Sequence, residues 1–86
     1  MGLKEKIKAF SEEYHQDVVA IRRHLHTNPE LSFQEYETSK FIQNKLEEYG
    51  ISFQSGIANT GVVALIKGKK PQSKCIALRA DIDALP

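Results

Sequence analysis

The feature that most constrains the fold is a short apolar run, CIALRA, at residues 75–80. It carries no charged side chain before Arg79, so neither face of an extended segment there is suited to water. Such a run predicts a β-strand that is buried on both faces, with another element covering each of them. The helices predicted elsewhere in the chain can cover only one face. We therefore expect an α/β fold, a helix pair packed on a mixed β-sheet, in which residues 1–86 form the first part of a larger domain.

Two amphipathic helices are predicted before the strands. Apolar residues recur at steps of three and four, which predicts one continuous helix over about residues 3–27 that a proline then ends. Ser32 and Glu35 have the spacing of an S-x-x-E capping box, so a second helix is predicted over about residues 33–49. Gly50 follows this helix and is expected to take the left-handed conformation that often terminates helices.

After the second helix the periodicity becomes that of strands. Short runs rich in β-branched residues predict strands over about residues 51–55 and 61–67, with a turn at residues 60–61, and the run at 75–80 gives the third strand. A strand as hydrophobic as residues 75–80 is expected at the centre of a mixed sheet. A chain that stopped after this strand would leave one edge of the sheet unpaired. We therefore expect the polypeptide to continue past Pro86.

The composition argues against two classes of function. The formal net charge is +1, whereas a nucleic-acid-binding surface usually shows a clear basic excess. No stretch approaches the roughly 20 apolar residues that a transmembrane helix needs, and the N-terminus lacks the apolar segment of a signal peptide. The single cysteine, Cys75, cannot form an internal disulfide and favours a reducing compartment. We expect a cytoplasmic protein that binds neither nucleic acid nor a membrane.

Two carboxylates, Asp81 and Asp83, directly follow the predicted third strand. Acids at the carboxyl end of a strand in an α/β sheet lie where ligands bind, and they can bind a metal, orient a metal-bound histidine or act as a base. If the chain stays extended, both side chains point to the same side. The structural alternative is that one aspartate caps a following helix while the other pairs with Arg79 or a lysine. The spacing alone leaves both interpretations open.

The remaining polar and nucleophilic residues favour structural roles. His24 and His26 lie two residues apart on a helix and point to different faces, so a shared metal ion is not expected. Arg22 and Arg23 are expected to pair with acidic residues one or two turns earlier. Cys75 lies in the apolar run and is expected to be a small buried hydrophobe.

Three stretches resemble, in order, the signature segments of the N-acyl-amino-acid amidohydrolases. They are RRHLHTNPELSFQEYETSKFI at residues 22–42, TGVVALIKG at 60–68 and ALRADIDALP at 77–86. These enzymes are the branch of the zinc carboxypeptidase and aminoacylase superfamily of metallopeptidases that includes hippurate hydrolases and hydrolases of indole-acetyl-amino-acid conjugates. The resemblance covers about residues 18–86, and it indicates the N-terminal part of the catalytic domain of such an enzyme.

The resemblance implies a metal-dependent amidohydrolase. In this family one or two divalent ions, such as zinc, manganese, nickel or cobalt, polarise the scissile carbonyl and activate a water. The family's ligands come mainly from later segments that residues 1–86 do not contain, so no metal is expected to bind to this chain alone. Related carboxypeptidases have H-x-D-x-x-P where this chain has DIDALP. Asp83 then takes the place of the aspartate that orients the metal-bound histidine, and Asp81 takes the histidine's place, close to the metal site.

The same resemblance implies a role for the N-terminal signature and a class of substrates. His26, Pro29 and Glu30 match the family pattern, and we expect them to shape the turn between the helices without a catalytic role. The implied substrates are N-acyl amino acids, aromatic or aliphatic, or small peptides, and the implied full-length enzyme is a homo-oligomer such as a dimer. The 86-residue chain alone is expected to be inactive. The competing hypothesis is a self-associating small α+β interaction module without catalysis, which pairs its open sheet edge with itself or a partner.

Overall fold

The computed structural model describes residues 2–70 and 72–86. Three helices precede a two-stranded antiparallel sheet, which confirms the α/β class. In chain order the elements are α1 (Leu3–Glu13), α2 (His15–Thr27), α3 (Tyr36–Glu48), β1 (Phe53–Ile57) and β2 (Gly61–Ala64). Among the described residues, no helix is long and apolar enough to cross a membrane.

The first predicted helix is interrupted at Tyr14, which separates α1 from α2. Tyr14 has φ −95° and ψ 4°, outside the helical range. Its N–H still donates to the Phe10 carbonyl at 3.0 Å, and its own carbonyl accepts from the Val18 N–H at 3.1 Å. The interruption is therefore one residue wide. No glycine or proline lies near it, and nothing in the structure explains it.

Helix α3 begins at Tyr36, three residues later than the capping box predicts. Residues 32–33 form a turn, and Phe33 has φ 67°, in the left-handed region. Glu35 occupies the N-cap position and makes no side-chain capping hydrogen bond. The prediction that Ser32 and Glu35 cap this helix is therefore wrong, because the chain turns sharply there before the helix starts.

The C-terminal end of α3 confirms the expected glycine cap. Gly50 has φ 69°, and its N–H donates to the Glu47 carbonyl at 3.0 Å. The Ile51 N–H donates to the Leu46 carbonyl at 2.9 Å. This pair of bonds is the Schellman motif, which satisfies carbonyls that the end of a helix leaves without partners.

Strands β1 and β2 form an irregular hairpin. Phe53 faces Ala64 and Gln54 faces Val63, but the register shifts before Ile57. Left-handed backbone at Gly56, with φ 75°, accompanies this shift. The observed strands overlap the two predicted ones, although β1 starts two residues later and β2 ends three residues earlier. Helix α3 packs against both strands.

The predicted strand at residues 75–80 is not formed, and the described sheet is antiparallel rather than mixed. Within residues 72–86 the chain adopts neither helix nor strand beyond a short turn. Ile76 is 86% exposed and Leu78 is 95% exposed. A strand needs a neighbouring backbone that completes its hydrogen bonds, and no other described segment pairs with this run. Cys75 is consequently exposed, and its expected burial is wrong.

The residues that are buried in the described ranges are polar, not hydrophobic. No hydrophobic residue there is buried, whereas four polar residues are: Glu35, Thr38, Ser39 and Thr60. The apolar stripe of α1 and α2 is present as predicted. Ile21 and Leu25 in it are half-buried, whereas its other members are exposed: Leu3, Ile7, Phe10, Tyr14 and Val18. The described residues therefore contain the elements of an α/β layer without an apolar core between them.

The cap at Gly50 can be tested by substitution in the complete polypeptide. Gly50→Ala places a Cβ on left-handed backbone, which costs about 1–2 kcal/mol. We expect hydrogen exchange of the last-turn amides of α3 to accelerate about 5- to 30-fold. Gly68→Ala is the matched control, because Gly68 lies outside the left-handed region and has open space around its Cα. Equal exchange rates in the two variants would contradict the cap.

Candidate functional site

The acidic segment, residues 81–83, lies on the surface of the described chain. Asp81 pairs with Arg79 at 3.3 Å, and the two side chains are 72% and 91% exposed. An ion pair so exposed to water contributes little to stability. Asp83 is exposed and forms no ion pair or side-chain hydrogen bond with any described residue. The pairing of one aspartate with Arg79, the structural alternative suggested by the sequence, is present in this structure for Asp81.

The backbone around these aspartates has an inner and an outer side. Burial alternates along the segment: Ile82 and Ala84 are half-buried, whereas Asp81 and Asp83 are exposed. This alternation is typical of extended chain that rests one side on the rest of the protein. The Ala84 N–H donates to the carbonyl oxygen of Glu30 at 2.7 Å. Both carboxylates are thus presented outward while the segment is attached from its inner side.

The side chain of Glu30 caps helix α3. Its Oε1 accepts from the Thr38 N–H at 2.6 Å and from the Thr38 hydroxyl at 2.6 Å. Its Oε2 accepts from the Glu37 N–H at 3.2 Å. These amides belong to the first turn of α3, where backbone N–H groups lack partners in the helix and the helix dipole favours negative charge.

A tight turn brings Glu30 back to the helix that starts six residues later. The Gln34 N–H donates to the Leu31 carbonyl at 2.9 Å, and Phe33 takes left-handed backbone. The motif resemblance places Glu30 in this turn but does not predict its capping role. The only signal available was a carboxylate close to a helix start, and Glu35 offered the same signal at a more familiar spacing.

The hydrogen bonds to Glu30 lower the pKa of its carboxyl. The largest contribution is the hydrogen bond from the Thr38 side chain, followed by the bond from the Thr38 backbone, and both favour the charged carboxylate. Partial desolvation opposes them, and the Glu37 N–H adds a smaller lowering effect. Glu30 is therefore held as a carboxylate by the helix that it caps.

Within the described residues the histidines belong to no group that could hold a metal ion. His24 stacks on Phe41 with ring centroids 3.9 Å apart and 15° between the planes, which joins α2 to α3. A cavity of about 310 Å³ beside this pair is lined by residues of both helices. His26 is exposed in the last turn of α2. Arg22 and Arg23 form no ion pair with the described residues, so their expected pairing is wrong.

The described residues do not fit a divalent ion. Nowhere in residues 2–70 and 72–86 do three His, Cys, Asp or Glu side chains come together in a group that could hold one. Asp81 is paired with Arg79, and the Glu30 carboxylate already accepts three hydrogen bonds. The site that these residues define is an anchored, outward-facing pair of acids.

Known proteins match the chain over most or all of its length. It is 47% identical over 87 aligned residues to thermostable carboxypeptidase 2 of Saccharolobus solfataricus, which covers 100% of this chain and 22% of that protein. It is 46% identical over 83 residues to the N-acyl-L-amino acid amidohydrolase of Geobacillus stearothermophilus, covering 96% of this chain and 22% of the relative. The N-acetyl-L-cysteine deacetylase of Bacillus subtilis is 51% identical over 71 residues, which are 83% of this chain and 17% of the deacetylase.

By these similarities the chain belongs to the peptidase and aminoacylase family of amidohydrolases and carboxypeptidases, which confirms the resemblance seen in its motifs. It spans about a fifth of the length of the curated relatives that it matches. No protein-family profile and no solved structure matches it.

The capping role of Glu30 predicts a pH dependence at the start of α3. Because the folded state lowers the pKa of Glu30, its stabilising effect is complete above the ordinary value of 4.5 and is lost as the pH falls through the lowered value. We expect the hydrogen-exchange protection of the Glu37 and Thr38 amides to fall in that acidic window. Glu30→Gln should remove this dependence, whereas Glu48→Gln, at the other end of α3, should keep it. Unchanged pH dependence in Glu30→Gln would contradict the assignment.

Proposed function

We propose that the complete polypeptide is a metal-dependent hydrolase that cleaves the amide bond of N-acyl amino acids or small peptides. The observation that carries this proposal is the 46% and 51% identity to relatives named for N-acyl-L-amino acids and N-acetyl-L-cysteine. The 47% identity to a carboxypeptidase supports peptides as a second substrate class. The competing hypothesis of a non-catalytic interaction module is disfavoured, because the relatives that match 83–100% of this chain carry the names of hydrolytic enzymes.

Within this function we propose a supporting role for the acidic segment. A carboxylate that accepts the second ring N–H of a metal-bound histidine fixes the orientation of that ring. Asp83 is proposed for such a role, since it is exposed and has no described partner that would occupy its oxygens. Asp81 is proposed to lie beside the metal site without binding the ion, because Arg79 already pairs with it. The metal ligands are proposed to come from outside residues 1–86.

The identity of the metal, the compartment and the assembly are also proposals. Zinc, manganese, nickel and cobalt are the candidate ions, since each accepts the imidazole and carboxylate ligands of such sites. The single cysteine favours a reducing compartment, and we propose the cytoplasm. A homo-oligomer, such as a dimer, is proposed from the motif resemblance, and sedimentation of the complete polypeptide would measure it.

Hydrolysis by purified protein tests the proposed function. We expect the complete polypeptide to release free amino acids from N-acetyl and N-benzoyl amino acids when zinc or manganese is supplied. A chelator should abolish turnover, and the ion should restore it. The 86-residue chain, treated identically, is the control and should be inactive, because its described residues form no metal site. Turnover by that chain alone would contradict the placement of the ligands elsewhere.

Substitution of Asp83 tests its supporting role. Asp83→Asn keeps the size of the side chain but removes the charge that would orient a metal-bound histidine. We expect activity or metal affinity to fall about 10- to 100-fold, as when the hydrogen-bond partner of a metal ligand is removed. Asp17→Asn is the matched control, because Asp17 is an exposed carboxylate in the first turn of α2. If both variants keep the activity of the unmodified protein, Asp83 has no role in the site.

A further inference from the structure

We infer that Glu30 is a positioning residue for the reaction, which holds the acidic segment at residues 81–83 in place through its own backbone while its side chain is fixed to α3. This inference rests on the proposed function, in which Asp83 supports the metal site. It assigns Glu30 a role beyond shaping the turn between α2 and α3.

The first step is the attachment of the Glu30 side chain to a rigid element. Three hydrogen bonds reach its carboxylate: two from Thr38 at 2.6 Å and one from the Glu37 N–H at 3.2 Å. Hydrogen bonds to an ionised acceptor are roughly twice as strong as neutral ones. Thr38 is itself buried, so the attachment point lies in one of the few places where the described chain is densely packed.

The second step is the attachment of the acidic segment to the same residue. The Glu30 carbonyl oxygen accepts from the Ala84 N–H at 2.7 Å. Because a peptide unit is planar, fixing this N–H also fixes the carbonyl group and Cα of Asp83, which share its plane. The position of the Asp83 Cα, from which its side chain leaves the backbone, is therefore restrained by a hydrogen bond to Glu30.

The third step is that no second hydrogen bond replaces this attachment in the described part of the chain, where only the half-buried Ile82 and Ala84 add contacts. From residues 74–86, the Ala84 N–H makes the one hydrogen bond to residues 2–70, and no strand pairing supports the segment. The ion pair between Arg79 and Asp81 lies within the segment and cannot locate it. A loosened Glu30 would thus release the outward-facing acids, and a displacement of about 1 Å in a catalytic group can cost on the order of 100-fold in rate.

Three variants of the complete, zinc-loaded polypeptide test this inference. Glu30→Ala removes every side-chain bond to α3, Glu30→Gln keeps an oxygen acceptor but loses the charge, and Thr38→Val removes the hydroxyl donor alone. The control is Glu48→Gln, because Glu48 is a carboxylate of the same helix whose ion pair with Lys45 is exposed and distant in sequence from the turn. Each protein is assayed with an N-acetyl amino acid well below its melting temperature, and hydrogen exchange is followed at residues 80–86.

We expect kcat to fall about 10- to 100-fold in Glu30→Ala, with KM changed less than about threefold and a smaller loss of kcat in Glu30→Gln. Exchange of the Ala84 amide should accelerate in the same order, and Glu48→Gln should match the unmodified protein in both measurements. A partial rescue by glutamine is what positioning requires, whereas a purely structural role would lower the melting temperature and leave the kcat of folded protein unchanged.

Two results would overturn the inference while leaving the proposed function intact. One is an active unmodified protein whose Glu30 variants keep kcat within about twofold. The other is unchanged exchange of the Ala84 amide in Glu30→Ala. If the unmodified protein hydrolyses none of the substrates, the proposed function fails and the catalytic part of the inference fails with it, while the exchange measurement still decides whether Glu30 holds the segment.

Discussion

Glu30 connects three parts of the described chain: the turn after α2, the first turn of α3 and the segment that carries Asp81 and Asp83. Its carboxylate supplies acceptors for amides that a helix start leaves without partners. Its carbonyl oxygen takes the Ala84 N–H. Since one residue makes both attachments, the first turn of α3 and the acidic segment are held at the same point of the chain. The stacking of His24 on Phe41 is a second connection between α2 and α3, but it does not reach the acidic segment.

The exposure of the chain's hydrophobic side chains explains why polar contacts are important for holding the described elements together. Fully burying one large apolar side chain contributes about 1.5–3 kcal/mol, yet no hydrophobic residue is buried in the described ranges. Leu78 and Ile76 are almost fully exposed, and most of the apolar stripe of α1 and α2 is also exposed. Relatives in the family are about five times as long, so their remaining residues are available to cover such surfaces. The described elements therefore have the patterning of an α/β layer without its apolar core.

The candidate site was only partly predictable. Asp81 and Asp83 are predicted site residues because two acids directly follow an apolar run, and the motif resemblance implies a separate place for each relative to a metal site. Glu30 was given no more than a part in the turn, because Ser32 and Glu35 offered a helix cap with ordinary spacing. The real cap requires left-handed backbone at Phe33, which a bulky aromatic residue rarely adopts, so no propensity argument favours it. Hydrogen bonds between residues that a sharp turn brings together follow no sequence pattern from which they can be predicted.

By itself the sequence determined the α/β order of elements, the glycine cap at Gly50 and the family, because each depends on local periodicity, on one residue's backbone freedom or on motifs in a fixed order. The tertiary structure alone decided that α1 and α2 separate at Tyr14, that Glu30 caps α3 and that residues 75–80 remain outside the sheet. The last of these has a simple physical reason. A strand's hydrophobicity is a property of its own residues, but its hydrogen bonds require a neighbouring strand. No described segment of this chain lies beside residues 75–80 to provide them.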